Sequence, residues 1–194
     1  MDAVTPKSQK SGEDHSHIVR PADMQWQQTR FPGCEVKTLL FDRESGLVTA
    51  LMRFAPGAVL PDHEHVKIEQ TYVLEGKLVD KEGPVAGLEV NAGEFVWREC
   101  GSRHVAWTPE GGLMLAMFQI PNKFYERDGR VTDVSGQDWE DVWGRALKGY
   151  AASRLASAQR SRTHPKSPRR RRGGDRSDST ARRVPMFEIR SQRH

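Results

Sequence analysis

The chain is poor in the residues from which small secreted scaffolds and zinc ribbons are built. Only 2 of its 194 residues are cysteine, Cys34 and Cys100, too few for a disulfide framework and without the Cys-x-x-Cys spacing of a zinc knuckle. Long apolar runs are missing too. The longest, near Leu113–Ile120, falls far short of the ~20 residues that cross a bilayer as a helix. The first twenty residues are polar and lack the apolar stretch of a secretory leader. A membrane partner is therefore not expected, and a cytoplasmic location is. Acidic residues are scarce at one end only. Positions 158–194 carry 12 Lys+Arg against 3 Asp+Glu, whereas positions 1–157 carry 18 against 23. The pI near 9.2 thus reflects the tail and is no sign that the body binds nucleic acid. Only the run Arg169-Arg170-Arg171-Arg172 would reach phosphates, and nucleic acid is not otherwise expected as a partner.

What is present divides the chain into four regions. A flexible arm is expected over 1–25 and a disordered basic tail over 158–194, in keeping with a mean hydropathy of −0.71, low for a chain packed throughout. Between 26 and 133 lie short β-rich runs: Val36–Phe41, Leu47–Phe54, Gln70–Leu78, Phe95–Trp97, His104–Trp107 and Leu113–Ile120. They are separated by turn chemistry such as Ala55-Pro56-Gly57, Asp80-Lys81-Glu82-Gly83-Pro84 and Asn91-Ala92-Gly93. Many short strands with such spacing predict an all-β sandwich or barrel rather than βαβ units. Along Leu113–Phe118 one alternate set faces inward, and parity does not say which. Over 134–157 the period changes. Trp139, Val142, Trp143, Ala146, Leu147 and Tyr150 recur at three and four residues, predicting one amphipathic helix of about Trp139–Ala156 with Asp138 as its N-cap. Packing on the outside of the barrel and a dimer contact both fit that face.

The residues that carry chemistry form two spaced sets. Gly57 is followed by His63, His65, Glu69 and Gly76, and further on Gly93 is followed by Glu99, Gly101 and His104. Residues two apart on a strand face the same side, so His63 and His65 can point inward together. Glu69, near the start of the adjoining strand, and His104, on a returning strand, can reach the same point. Three imidazoles and a carboxylate converging in a barrel suit a divalent first-row metal with open positions. His15 and His17 share the two-residue spacing but sit in a polar arm without a partner, and are read as solvent-exposed.

In this frame the sequence resembles the cupin superfamily. Gly57 through Gly76 fits its first motif at each defining position. Gly93, Gly101 and His104 fit the second, which departs at Glu99, where the family usually has Pro, and at Thr108, where it often has Asn. The segments Phe95–Arg98, Gly101–His104 and Thr108–Gly112 are similar to the ChrR-like and acetylacetone-dioxygenase-like group. The resemblance implies a single cupin barrel (an RmlC-like jelly roll, or double-stranded β-helix) with an appended helix. It implies His63, His65, His104 and Glu69 as metal ligands, with Glu69 alternatively a base behind the ligands, and Arg98 or Arg103 as steadying developing negative charge. Three functions follow from it. One is an Fe(II) dioxygenase that cleaves a carbon–carbon bond in a small β-dicarbonyl or ketone. Another is a non-catalytic ChrR-like sensor holding a metal such as Zn(II) and a small ligand. The last is an isomerase or decarboxylase using Mn(II) or Zn(II). A homodimer is expected, since cupin barrels commonly pair and exposed edge strands favour it. A sigma factor is not expected as a partner, because the polar residues before the barrel carry no cysteine ligands.

Overall fold

Alternation of buried and outward-facing residues builds the strands. In the segment beginning at Cys34, the side chains of Cys34, Val36 and Thr38 are buried while Glu35 and Lys37 face outward, until a bulge between Thr38 and Leu40 shifts the register. The computed structural model describes residues 17–163. Its elements are β1 (Gln27–Gln28), β2 (Cys34–Asp42), β3 (Leu47–Phe54), β4 (Ala58–His65), β5 (Glu69–Glu82), β6 (Glu89–Asn91), β7 (Phe95–Arg98), β8 (Arg103–Thr108), β9 (Gly112–Gln119), β10 (Asn122–Tyr125), β11 (Val131–Thr132) and the helix α1 (Gln137–Thr163). The strands form one curled antiparallel sheet in the order β1-β2-β3-β9-β5-β8-β4-β10-β11, with β6 and β7 also paired to β5. This is the all-β barrel with a C-terminal helix that the spacing predicts.

Strand β5 joins the two halves. Its first part, Glu69–Gly76, pairs with β9, and its second, Val79–Glu82, pairs with β8. Gly76 stands at the corner with φ 73°, and a Cβ there would lie 2.1 Å from the carbonyl oxygen of Gly111, so only glycine fits. The uncertain parity of β9 resolves with Met114, Ala116 and Phe118 buried, leaving Leu113, Leu115 and Met117 on the other face.

Helix α1 docks on the inner face of one half. Trp139, Val142 and Trp143 join Val36, Phe41, Val48, Ala50, Ala116 and Phe118 in one core, with the Trp143 ring edge-on to Phe41 at 5.9 Å. The helix starts earlier than predicted, at Gln137. Asp138 is therefore not its N-cap but lies in the first turn, where its own backbone N–H donates to Asp133 Oδ1 at 3.0 Å. Asp133 does the capping from outside the helix, a role that five residues of separation conceal in the sequence. Ahead of β1, Pro21–Asp23 form a 3₁₀ turn whose Pro21 carbonyl accepts from Lys37 Nζ of β2. α1 also runs on to Thr163, six residues into the tail expected to be disordered from 158; the rest of that tail, with Arg169–Arg172, and the rest of the expected arm, with His15, lie outside the described residues. Among the described residues no helix is long and apolar enough to cross a membrane.

Candidate metal centre

The site is built by β4, β5 and β8, with β10 behind β4. His63 and His65 lie two apart on β4, and His63 is the register partner of His104 on β8. Pro61, Asp62 and Glu64 give β4 little strand character of its own. It is a strand because both its edges are occupied, by β8 and β10. The turn between β7 and β8 locks its end: His65 N donates to the Ser102 carbonyl and Gly101 N to the His65 carbonyl. All three histidines are buried, and one ring nitrogen from each lies within 4.8 Å of the others.

Hydrogen bonds fix two of the rings. Nδ1 of His104 donates to Asp80 Oδ1 at 2.7 Å, and Nδ1 of His63 donates to the Pro61 carbonyl at 2.8 Å. With the proton on Nδ1, Nε2 of each ring is the nitrogen left to offer a lone pair to a metal. Burial first, and then the neighbouring imidazoles of His104 and His65, hold the His63 pKa well below its ordinary value. Among the described residues, His65 Nδ1 is buried without a partner. Its Nε2 faces His104 Nε2 at 3.1 Å and Glu69 Oε2 at 2.6 Å. One proton on that nitrogen can serve only one of these neighbours, whereas a divalent cation among them satisfies every lone pair. The donor set thus fits a first-row divalent metal, as its chemistry requires.

Glu69 adjoins the cluster from the start of β5. Burial opposes its ionisation, but His65, Arg98 and His104 outweigh burial and hold the carboxyl well below the usual range. Oε1 accepts from Thr71 Oγ1 at 2.7 Å, and Oε2 lies 4.0 Å from His104 Nε2 and 3.8 Å from Arg98 Nη1. The set of three mutually close ligand groups does not include it. Arg98 is buried behind the histidines, its Nη2 donating to both oxygens of Asp80 at 2.8 and 3.0 Å. It holds the carboxylate that holds His104. Arg103 is not brought to the site. Next to inward-facing His104, it turns outward by strand alternation, pairs with Asp62 and lies 3.7 Å over the Tyr125 ring.

Sequence reasoning missed Asp80. It opens an Asp-Lys-Glu-Gly-Pro run that reads as a turn, yet it belongs to β5 and is almost fully buried. Burial opposes its ionisation, but the hydrogen bond from His104 and the charge of Arg98 lower its pKa. Also missed was the wall opposite the histidines. A cavity of about 380 Å³ extends from His63, His65 and Glu69 past Met52, Leu60, Phe118 and Phe124 to Trp139 and Val142 of α1. The Phe124 ring stacks on His63 at 5.3 Å.

A curled antiparallel β-barrel with a histidine cluster on its inner face and a cavity beside it defines the class of the cupins. The ChrR cupin-like domain family matches residues 14–123, and the chain belongs to it. No curated protein matches the chain. Among solved structures it is similar to an acetylacetone dioxygenase from Acinetobacter johnsonii, at 17% identity and a TM-score of 0.55 over 73% of this chain and 99% of that one. An RmlC-like cupin protein from Ralstonia eutropha gives 17% identity and a TM-score of 0.57 over 71% and 88%. A Methylibium petroleiphilum protein, assigned provisionally as an acetylacetone dioxygenase, gives 21% and 0.56 over 69% and 97%. These likenesses are of fold.

Proposed function

We propose that the protein is a metal-dependent oxygenase that holds Fe(II) at His63, His65 and His104 and uses O2 to cleave a carbon–carbon bond in a small β-dicarbonyl or ketone. The observation that carries this reading is the convergence of three buried imidazoles and anionic Glu69 at one side of a largely apolar cavity large enough for such a substrate. When bound, iron supplies Lewis-acid polarisation of carbonyl oxygens and electron exchange with O2. The chain's own residues do the rest. Asp80 orients His104, and Pro61 fixes the tautomer of His63. Met52, Leu60, Phe118 and Phe124 line the space beside the histidines with apolar surface. Glu69, with Oε2 at 2.6 Å from His65 Nε2 and 4.0 Å from His104 Nε2, adds negative charge beside a bound dication. Arg98, engaged by Asp80, acts through His104 rather than on the substrate.

The test is oxygen uptake by protein loaded anaerobically with Fe(II), over a panel of β-diketones and aryl ketones, with Zn(II)-loaded protein as control. Uptake that requires both iron and substrate, and that falls at least about 100-fold in His104→Ala, supports the reading. Stoichiometric iron without uptake on any substrate overturns it. The second reading would then stand: a domain that binds metal and a small ligand without turnover, which the ChrR description of the family favours.

A further inference from the structure

The cavity beside the histidines has a second polar region, and its polar groups are not equally satisfied. The path to it runs across three strands. His63 on β4 pairs with Phe124 on β10, and Phe124 pairs with Thr132 on β11. Asp133 follows Thr132, so its backbone stands roughly 10 Å from that of His63 at ordinary interstrand spacing. Most charged groups lining this region have partners. Arg30 Nε donates to Asp138 at 2.5 Å and its Nη2 to Thr132 Oγ1 at 2.9 Å. Asp141 accepts from Gln137 at 2.8 Å, and Arg145 donates to the Gln28 carbonyl at 2.7 Å.

Asp133 is the exception. Oδ1 accepts the Asp138 N–H and the Gln137 N–H also draws on the carboxyl, but among the described residues Oδ2 is buried with no hydrogen-bond partner within bonding geometry. A buried acceptor without a donor is costly, and natural folds keep few of them. Asp133 is also the one non-glycine among the described residues with positive φ, at 56°, a strained conformation of the kind that collects at binding sites. Burial pushes its carboxyl up to about 6, which leaves it ionised at neutral pH. Between Asp133 and the histidines the lining is aromatic: Phe31, Phe118, Phe124 and Trp139.

We infer that the cavity's ligand is two-ended: an oxygen chelate at the three histidines, an apolar ring-sized middle, and at the other end a hydrogen-bond donor, hydroxyl or ammonium, received by the free carboxylate oxygen of Asp133. The inference rests on the proposed reading of the histidines as an open metal centre and adds the chemistry of the substrate's far end. It makes Asp133 and the start of α1, rather than the barrel alone, the determinant of which substrate is accepted.

The test measures binding, not turnover. Full-length Zn(II)-loaded protein is titrated calorimetrically with 4-methyl-, 4-hydroxymethyl- and 4-aminomethylbenzohydroxamic acid, which share one chelating group and differ only at the far end. The hydroxymethyl or the aminomethyl probe is expected to bind about tenfold more tightly than the methyl probe, as for a hydrogen bond to a charged group. Which of the two gains identifies the donor. Asp133→Gly keeps the positive φ accessible and should erase the gain, bringing the three probes to equal affinity for the variant. Asp133→Asn, which also tolerates that φ, should erase the ammonium gain. Equal binding of all three probes to the wild type, or a gain that survives in Asp133→Gly, overturns the inference while the metal reading stands. Failure of the protein to take up Zn(II), or methyl-probe binding that does not depend on Zn(II), is a failure of the metal reading itself, and the inference falls with it.

Discussion

Asp80 and His104 are 24 residues apart in sequence and 2.7 Å apart in space, and this contact decides which way the His104 lone pair points. A metal-bound histidine works best when its other nitrogen donates to a carboxylate, which fixes the ring and raises its basicity. Asp80→Asn keeps the shape but removes the charge from His104 and from Arg98 together. Affinity for Zn(II), measured by competition with a chromophoric chelator, should fall about 10–100-fold. Buried Arg98, left with Glu69 at 3.8 Å, should destabilise the fold by about 3–5 kcal/mol. A change in affinity below threefold would show that His104 is oriented without this carboxylate. The histidines themselves were legible in the sequence because strand alternation leaves its trace at i and i+2. Asp80 was not, because its composition is that of a turn and its partner is set by the pairing of β5 with β8.

Helix α1 was legible as a helix and illegible in its placement. The period of Trp139, Val142, Trp143 and Ala146 shows one apolar face, but periodicity does not say whether that face meets the outer wall of a barrel, a second molecule or the lining of a cavity. Trp139 does the last, lying 5.0 Å from Phe118 while also lining the cavity. The start of the helix carries a pH signature. Asp133 has an ordinary value of 3.8 and a folded value of about 6, raised by burial and by the charge of Asp138 against the opposing pull of the Asp138 and Gln137 N–H groups and of Arg30. Between those values the folded chain holds a proton that the unfolded chain has lost. The contribution of Asp133 to stability therefore falls as pH rises from about 4 to about 6, and is constant above that. Asp133→Asn preserves the acceptor for Asp138 and the positive φ, so it removes this dependence. Its thermal midpoint, minus that of the wild type, should rise across that window and then level off. A difference that stays flat from pH 4 to 8 would mean that Asp133 titrates as it does in the unfolded chain. Stability gained there and ligand discrimination lost would be two consequences of one half-buried carboxylate.

At the scale of the molecule, the face of the sheet opposite the cavity carries an apolar stretch beside the charged Glu35, Lys37 and Arg53 of β2 and β3. Across β3, β9, β5 and β7 the register places Leu51, Leu115, Tyr72 and Phe95 in one row, with Met117, Gln70 and Trp97 in the next. Phe95 is 51% exposed and Trp97 55%. Scattered apolar residues on a surface need no explanation, but a contiguous row with large rings at one end marks an interaction surface. Strand β7, among the described residues, pairs with β5 alone, so its outer edge offers free backbone groups next to those rings, a combination that soluble proteins normally cover. The homodimer expected from the sequence is proposed to form here, two copies of β7 and its aromatic face meeting about a twofold axis. Light scattering coupled to size exclusion should give twice the mass of one chain for the wild type. Trp97→Lys should give the single-chain mass, because a charge at a self-complementary interface is buried twice. Zn(II) uptake should be unchanged in that variant, since Trp97 does not line the cavity and Arg98, its inward neighbour, keeps its bond to Asp80. A wild type that elutes at the mass of one chain removes the dimer, and a Trp97→Lys variant that stays dimeric moves the interface elsewhere on the barrel.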